Sequence, residues 1–154
     1  MIHDNVIRVG ACGWDQRHWQ GAFFPDDLPE DWRLTYYANE FSAVLVPENE
    51  WRAANVDFEQ WAEDVPEDFK FYLLTGSLSE DDSLIKAHLG DKFAGFVAAD
   101  DGRGIALITF ATKSLREWKD WLQVKEFEAI FLMDDELTAK QLLDFKALLE
   151  LMNL

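Results

Sequence analysis

A chain of 154 residues is sized for one domain with a substantial core, burying roughly 68–70% of its unfolded surface, and its net charge of −16 makes it a poor partner for nucleic acid. A hydrophobic content of 49%, with seven Trp and twelve Phe, excludes disorder, and no run reaches the ~18 consecutive apolar residues that a membrane helix needs. The start Met1-Ile2-His3-Asp4 has neither a basic segment nor an apolar signal core, so the chain reads as soluble and cytoplasmic; a lone Cys12 cannot close an internal disulfide, which suits a reducing compartment.

The acid lies in short clusters such as Asp26-Asp27, Glu80-Asp81-Asp82 and Asp134-Asp135-Glu136. That dispersal suits a solvated exterior, with docking onto a basic partner as the sharper alternative.

Val6 to Cys12 reads as a first strand. It runs into a long non-periodic connection, Gly10-Ala11-Cys12-Gly13-Trp14-Asp15-Gln16-Arg17-His18-Trp19-Gln20-Gly21-Ala22-Phe23-Phe24-Pro25, continued by Leu28-Pro29. A loop of that length is uncommon unless it faces a ligand or performs a function. Trp32 and Tyr36 at i and i+4 predict a helix over Asp31 to Ala38, with Asp31 as its cap. Phe41 to Val46 is a strand closed by Pro47, and Asp57 to Glu63 a short helix with Phe58 and Trp61 inward. Pro66-Glu67-Asp68 turns into the aromatic strand Phe69 to Leu74, and Ser83 to Leu89 is a helix stopped at Gly90.

Two strand-like runs follow, Ala94 to Ala99 and Ile105 to Ala111, separated only by Asp100-Asp101-Gly102-Arg103-Gly104. A parallel crossover takes a dozen or more residues, so if these strands are neighbours they form an antiparallel hairpin. Leu115, Trp118, Trp121 and Leu122 mark a helix opened by Ser114 as N-cap; Ala129 to Met133 is a strand; Leu142, Phe145, Leu149 and Met152 face the last helix inward. The expectation is a single α/β domain over 1–154 with about six strands, mostly parallel, and five helices.

The opening run resembles the YecE-like family, DUF72, whose members begin with a strand, a Gly-x-x-Gly-Trp, a Trp-x-Gly and a Phe-Tyr-Pro-like element. Trp32, Tyr36, Tyr37, Ala38 and Phe41 resemble that family's next helix and strand, Pro66 to Phe71 its third strand, and Leu89 to Gly95 the turn before its fourth. Trp118, Met133-Asp134-Asp135 and Ala139 resemble its C-terminal stretch, so the likeness runs from Ile7 to about Leu149. It implies a TIM-barrel-like fold and carries no established activity. An eight-stranded barrel takes roughly 250 residues, so this chain is short by about 100. The shortfall falls at Asp100 to Gly104, where the family's fourth unit joins its seventh directly. An incomplete or rearranged barrel is therefore expected, with exposed strand edges that a homodimer is one way of pairing.

The resemblance also implies polar site positions at the C-terminal ends of strands, and here these are altered. Leu45 and Pro47 stand at a Glu-x-Asn pair, Leu74 at a lysine, Ile108 and Phe110 at an Arg-x-His, and Asp134-Asp135 at an Asn-Asn. The candidate proton carriers and cationic groups are thereby removed, which points to a protein leaning away from catalysis, a small-ligand-binding or protein-interaction module. The alternative is a divergent enzyme using His18, Arg17 and the late aspartates on a small cationic or neutral substrate.

Several residues keep chemical potential. Cys12 at the end of the first strand is either a barrel-type nucleophile or a small buried apolar residue. His18 is the best acid–base candidate, with Arg17 able to hold an anion. Trp14, Trp19 and Trp51 could form an aromatic platform around a ligand or fold a loop onto the core. Asp100, Asp101, Asp134 and Asp135 could hold a hard cation, but adjacent residues of an extended strand point to opposite faces, so a turn and a strand-end cap suit them better. His3, His18 and His88 lack zinc-type spacing, and the chain has no Walker loop, dinucleotide fingerprint or Gly-x-Ser-x-Gly elbow; no metal or cofactor is expected.

Overall fold

The computed structural model describes residues 7–16, 19, 21–53, 55–76, 83–98, 104–123 and 127–152. Among them are six strands: β1 Arg8–Ala11, β2 Ala43–Val46, β3 Lys70–Leu74, β4 Phe93–Val97, β5 Ile105–Ile108 and β6 Ala129–Leu132. The α-helices are α1 Arg33–Glu40, α2 Glu48–Trp51, α3 Phe58–Asp64, α4 Ser83–Leu89, α5 Leu115–Leu122 and α6 Ala139–Leu151. Every strand pairing is parallel, in two three-stranded sheets ordered β1-β6-β5 and β2-β3-β4. The fold is thus an incomplete TIM-barrel-like α/β arrangement, without closure.

The expected hairpin across 100–104 is not formed. β4 pairs with β3 and β5 with β6, so the two runs joined by the short link belong to different sheets. Link length constrains orientation only for strands that share a ladder, and these two do not. β4 also carries one residue more than its partner: Phe71 faces Phe93 and Tyr72 faces Gly95, with Gly95 at φ +124°. A bulge of this kind asks for glycine at the left-handed position.

β1 and β2 lie side by side without a regular ladder. Gly10 brings them so close that a Cβ there would stand 2.1 Å from the Ala43 carbonyl oxygen. In place of ladder bonds, the buried Tyr37 hydroxyl accepts from the Ala11 N–H at 2.9 Å and donates to the Ala43 carbonyl at 2.7 Å. Burial pushes the phenol pKa well above its usual range, so it stays protonated and keeps its donor. One bond above it, Gly13 N–H to Leu45 carbonyl at 2.8 Å, and the Arg8 guanidinium on the Ser42 carbonyl below complete the seam.

Strand alternation separates two cores. Ala43, Leu45, Tyr72, Val97, Ala129 and Phe131 pack inside the curve of the sheets, with Leu74, Ile105, Leu107 and Met133 partly buried against them. The alternate residues, among them Val44, Val46, Phe71, Leu73, Ile130 and Leu132, pack outward under the helices. Near-continuous apolar runs such as Ala129–Leu132 are what a parallel strand covered on both faces demands.

α1 begins differently from the sequence expectation. Asp31 is not its cap; a 3-10 turn Glu30–Trp32 opens after Pro29, and α1 follows from Arg33 without a side-chain cap bond. Proline at that point presets the backbone and takes the entry position that Asp31 was expected to hold. α5 and α6 have the capping box in full, Ser114 with Glu117 and Thr138 with Gln141. At the opposite end of the strands from the opening loop, cations satisfy backbone carbonyls: Arg8 reaches Asp68, Lys70 reaches Asp91, Lys92 reaches Ala62 and Val65, and Lys146 reaches Glu40. Ala62, Val65 and Glu40 end α3 and α1, where helix carbonyls lack partners and positive charge is favoured.

Candidate functional site

The C-terminal ends of the strands carry most of the sequence-predicted site residues. Cys12 follows β1 and bridges to Leu45. Its thiol is pushed up to about 11, first by burial and then by the Glu50 carboxylate, so it is not a thiolate near neutral pH. Gly13 turns the chain at φ +86°, a conformation that favours glycine, and sends Trp14 outward. Trp14 meets Trp61 of α3 edge-on, with ring centroids 5.0 Å apart and an interplanar angle of 88°. Asp15 then pairs with Arg33 of α1.

The three tryptophans are not brought together. Trp19, 1% exposed, plugs the space between α1 and the chain before α6: its indole N–H donates to the Leu137 carbonyl at 2.7 Å and its ring stacks on Tyr37 at 6.2 Å. The N–H groups of Phe23 and Phe24 both donate to the Trp19 carbonyl, which folds this part of the opening loop into an aromatic knot with Tyr36 and Phe41. Trp51 ends α2 and is also buried; its N–H donates to the Leu74 carbonyl at the end of β3, and the Arg52 guanidinium lies 4.2 Å over its ring.

Asp134, after β6, uses both carboxylate oxygens to accept from the Phe110 and Ala111 N–H groups at 2.7 and 3.0 Å, tying the 3-10 turn Phe110–Thr112 to the sheet end. Asp135 is exposed beside it. Arg17, His18, His3, Asp100 and Asp101 lie outside the described residues. Among the described residues no three His, Cys, Asp or Glu side chains are grouped so as to hold a metal ion.

Two of the positions where the family resemblance implies polar groups turn into the inner core. Leu45 is fully buried there and Leu74 packs against it, while Ile108 is buried on the outer face. The interior of the strand curve is therefore filled with apolar side chains.

An open cleft lies beside this packed end. It measures about 630 Å³ and is bounded by the chain after β1, α2 and α3, with Trp14, Val56 and Trp61 supplying apolar wall. Carboxylates from each bounding segment reach it, Asp15, Glu50, Asp57 and Asp64 among them. Partial desolvation, and then the charge of Asp15, raise the Glu50 carboxyl above its ordinary range. Sequence reasoning missed Glu50 because α2 is one turn long and shows no periodicity. The signal available was the density of acid between Glu48 and Asp64 in a stretch that also carries two tryptophans.

The family model described as "Protein of unknown function DUF72" matches residues 8–123. No curated protein and no solved structure matches.

Proposed function

The chain belongs to the DUF72 family, whose function is unknown, and from that premise we propose that it is a non-catalytic member that binds a small molecule in the cleft between Trp14 and Trp61. One observation carries the reading: two indoles meet at right angles in the wall of an open cleft whose size lies within the usual range for small-molecule sites. The second half of the proposal, absence of catalysis, draws support from the inner core. Leu45 and Leu74, both apolar, stand at strand ends, where barrels of this kind place their chemistry.

The test is a ligand-observed NMR screen of a mixed metabolite panel against the wild-type chain and Trp14→Ala. Trp14 is only partly buried, and circular dichroism and thermal unfolding of the variant check that the fold is kept. Compounds that bind the wild type are expected to lose their signal with the variant. Hits that persist unchanged in Trp14→Ala place binding elsewhere and overturn the assignment.

A further inference from the structure

Resting on the reading of this cleft as a binding site, we infer that its ligand is an extended organic cation, an aliphatic amine with more than one charged nitrogen. Among the described residues, none that bounds the cleft is Lys, Arg or His. Six of them are acidic: Asp15, Glu30, Asp31, Glu50, Asp57 and Asp64. Among the described residues only Asp15 has an ion pair, with Arg33.

The other carboxylates differ in how they are used. Asp57 caps α3 by accepting from the Gln60 N–H, and Asp64 accepts from the Gln60 side-chain amide, so both are fixed in direction by neutral donors. Glu50 makes no side-chain hydrogen bond or ion pair to any described residue, and it stands partly desolvated with the Asp15 charge beside it. A carboxylate in that position is relieved by a cation more than by any neutral ligand.

The spread of the charge selects among cations. A divalent metal needs several oxygen ligands on one point, and no such convergence exists among the described residues. Carboxylates distributed from Glu30 and Asp31 across to Asp57 and Asp64 suit charges distributed along a chain instead. The Trp14 and Trp61 rings complement the same ligand twice, since methylene stems pack on indole and ammonium groups are attracted to its face. Anionic and nucleotide-like ligands are disfavoured by the same charges.

Isothermal titration with spermidine as the probe, in 150 mM salt, tests the assignment. N,N′-diacetylated spermidine, an aliphatic diol and Mg²⁺ at matched ionic strength serve as controls. Saturable binding of spermidine at one site is expected, with weak or no response to the controls. Glu50→Gln is expected to weaken it about threefold to fivefold, the effect of one solvent-accessible charge pair, and Trp14→Ala to weaken it further. Because partial desolvation and the Asp15 charge disfavour its ionised form in the fold, Glu50→Gln is also expected to raise the melting temperature at pH 7, so weaker binding cannot be laid to unfolding. Spermidine binding that Mg²⁺ matches, or that Glu50→Gln leaves unchanged, is diffuse screening and overturns the inference. If the metabolite screen instead yields neutral or anionic ligands that Trp14→Ala abolishes, the cleft stands as a site and the cationic ligand falls alone. Spermidine binding that Trp14→Ala leaves intact overturns both.

Discussion

A single phenol hydroxyl does the work that ladder hydrogen bonds do elsewhere in this molecule. Tyr37 donates to one strand and accepts from the next, at a point where Gly10 brings their backbones too close for any side chain between them. Removing only the oxygen, in Tyr37→Phe, leaves the Ala11 N–H and the Ala43 carbonyl buried without partners at a cost of about 1–3 kcal/mol for each. Urea unfolding of the variant measures this, and a loss under about 0.5 kcal/mol would mean that water takes the hydroxyl's place. None of this was readable from the chain alone. Tyr37 looked like one more aromatic on a helix face, since its role depends on which two strands the helix covers and how near they come. Cys12 stands at the end of the first strand, where its place in the sequence puts it, and its thiol pKa is raised first by burial and then by the Glu50 carboxylate. For Trp19 the packing alternative describes what the structure contains, a ring closed between Tyr37 and Leu137, because an indole with one N–H can satisfy a carbonyl inside the fold as readily as a ligand outside it.

At the scale of elements, local chemistry settled the helices that carry their own signals. Ser114 followed by Glu117 is a complete capping box on α5, and α4 ends at Gly90, whose φ of +59° explains why glycine stops it. Ser114→Ala is expected to cost about 1 kcal/mol of stability by thermal or urea unfolding, with Ser114→Gly milder by several tenths. Equal stability of Ser114→Ala and wild type would show that the exposed cap makes no net contribution. Elements that depend on distant partners were harder to read. α2 is too short for periodicity and exists because Pro47 ends β2 and Trp51 finds the Leu74 carbonyl. The length of the link 100–104 implies a hairpin if its flanking strands are neighbours, and only the pairing of β4 with β3 and β5 with β6 shows that they are not. The candidate cleft shares this limit. Trp14 was among the expected ligand residues, whereas Glu50 and Asp64 enter only once α2 and α3 are folded beside the first loop.

For the molecule as a whole, alternation along short apolar strands made the α/β class and the parallel bias legible, and the family likeness made the barrel-like curvature legible. What neither contained was the division into two sheets with a hydroxyl seam between them. Read around the curve, the strands stand in the order β5-β6-β1-β2-β3-β4, which is the order of the chain rotated by four places. That rotation sets a timetable for folding. The sheet β2-β3-β4 is assembled from neighbours in the chain, Ala43 meeting Lys70 and Phe71 meeting Phe93, whereas β1 must wait for a partner some 120 residues away, Arg8 meeting Ala129. Closing the longer loop loses more chain entropy before any contact offsets it, so the ladder between β1 and β6 forms last, after β5 and β6, which are neighbours in the chain, have paired. Pulse-labelled hydrogen exchange during refolding should protect the amides of Phe71 to Leu74 before those of Arg8 to Gly10, and simultaneous protection would refute the sequence of events. Tyr37, lying between the early sheet and the late one, is then the latch that the last strand closes on.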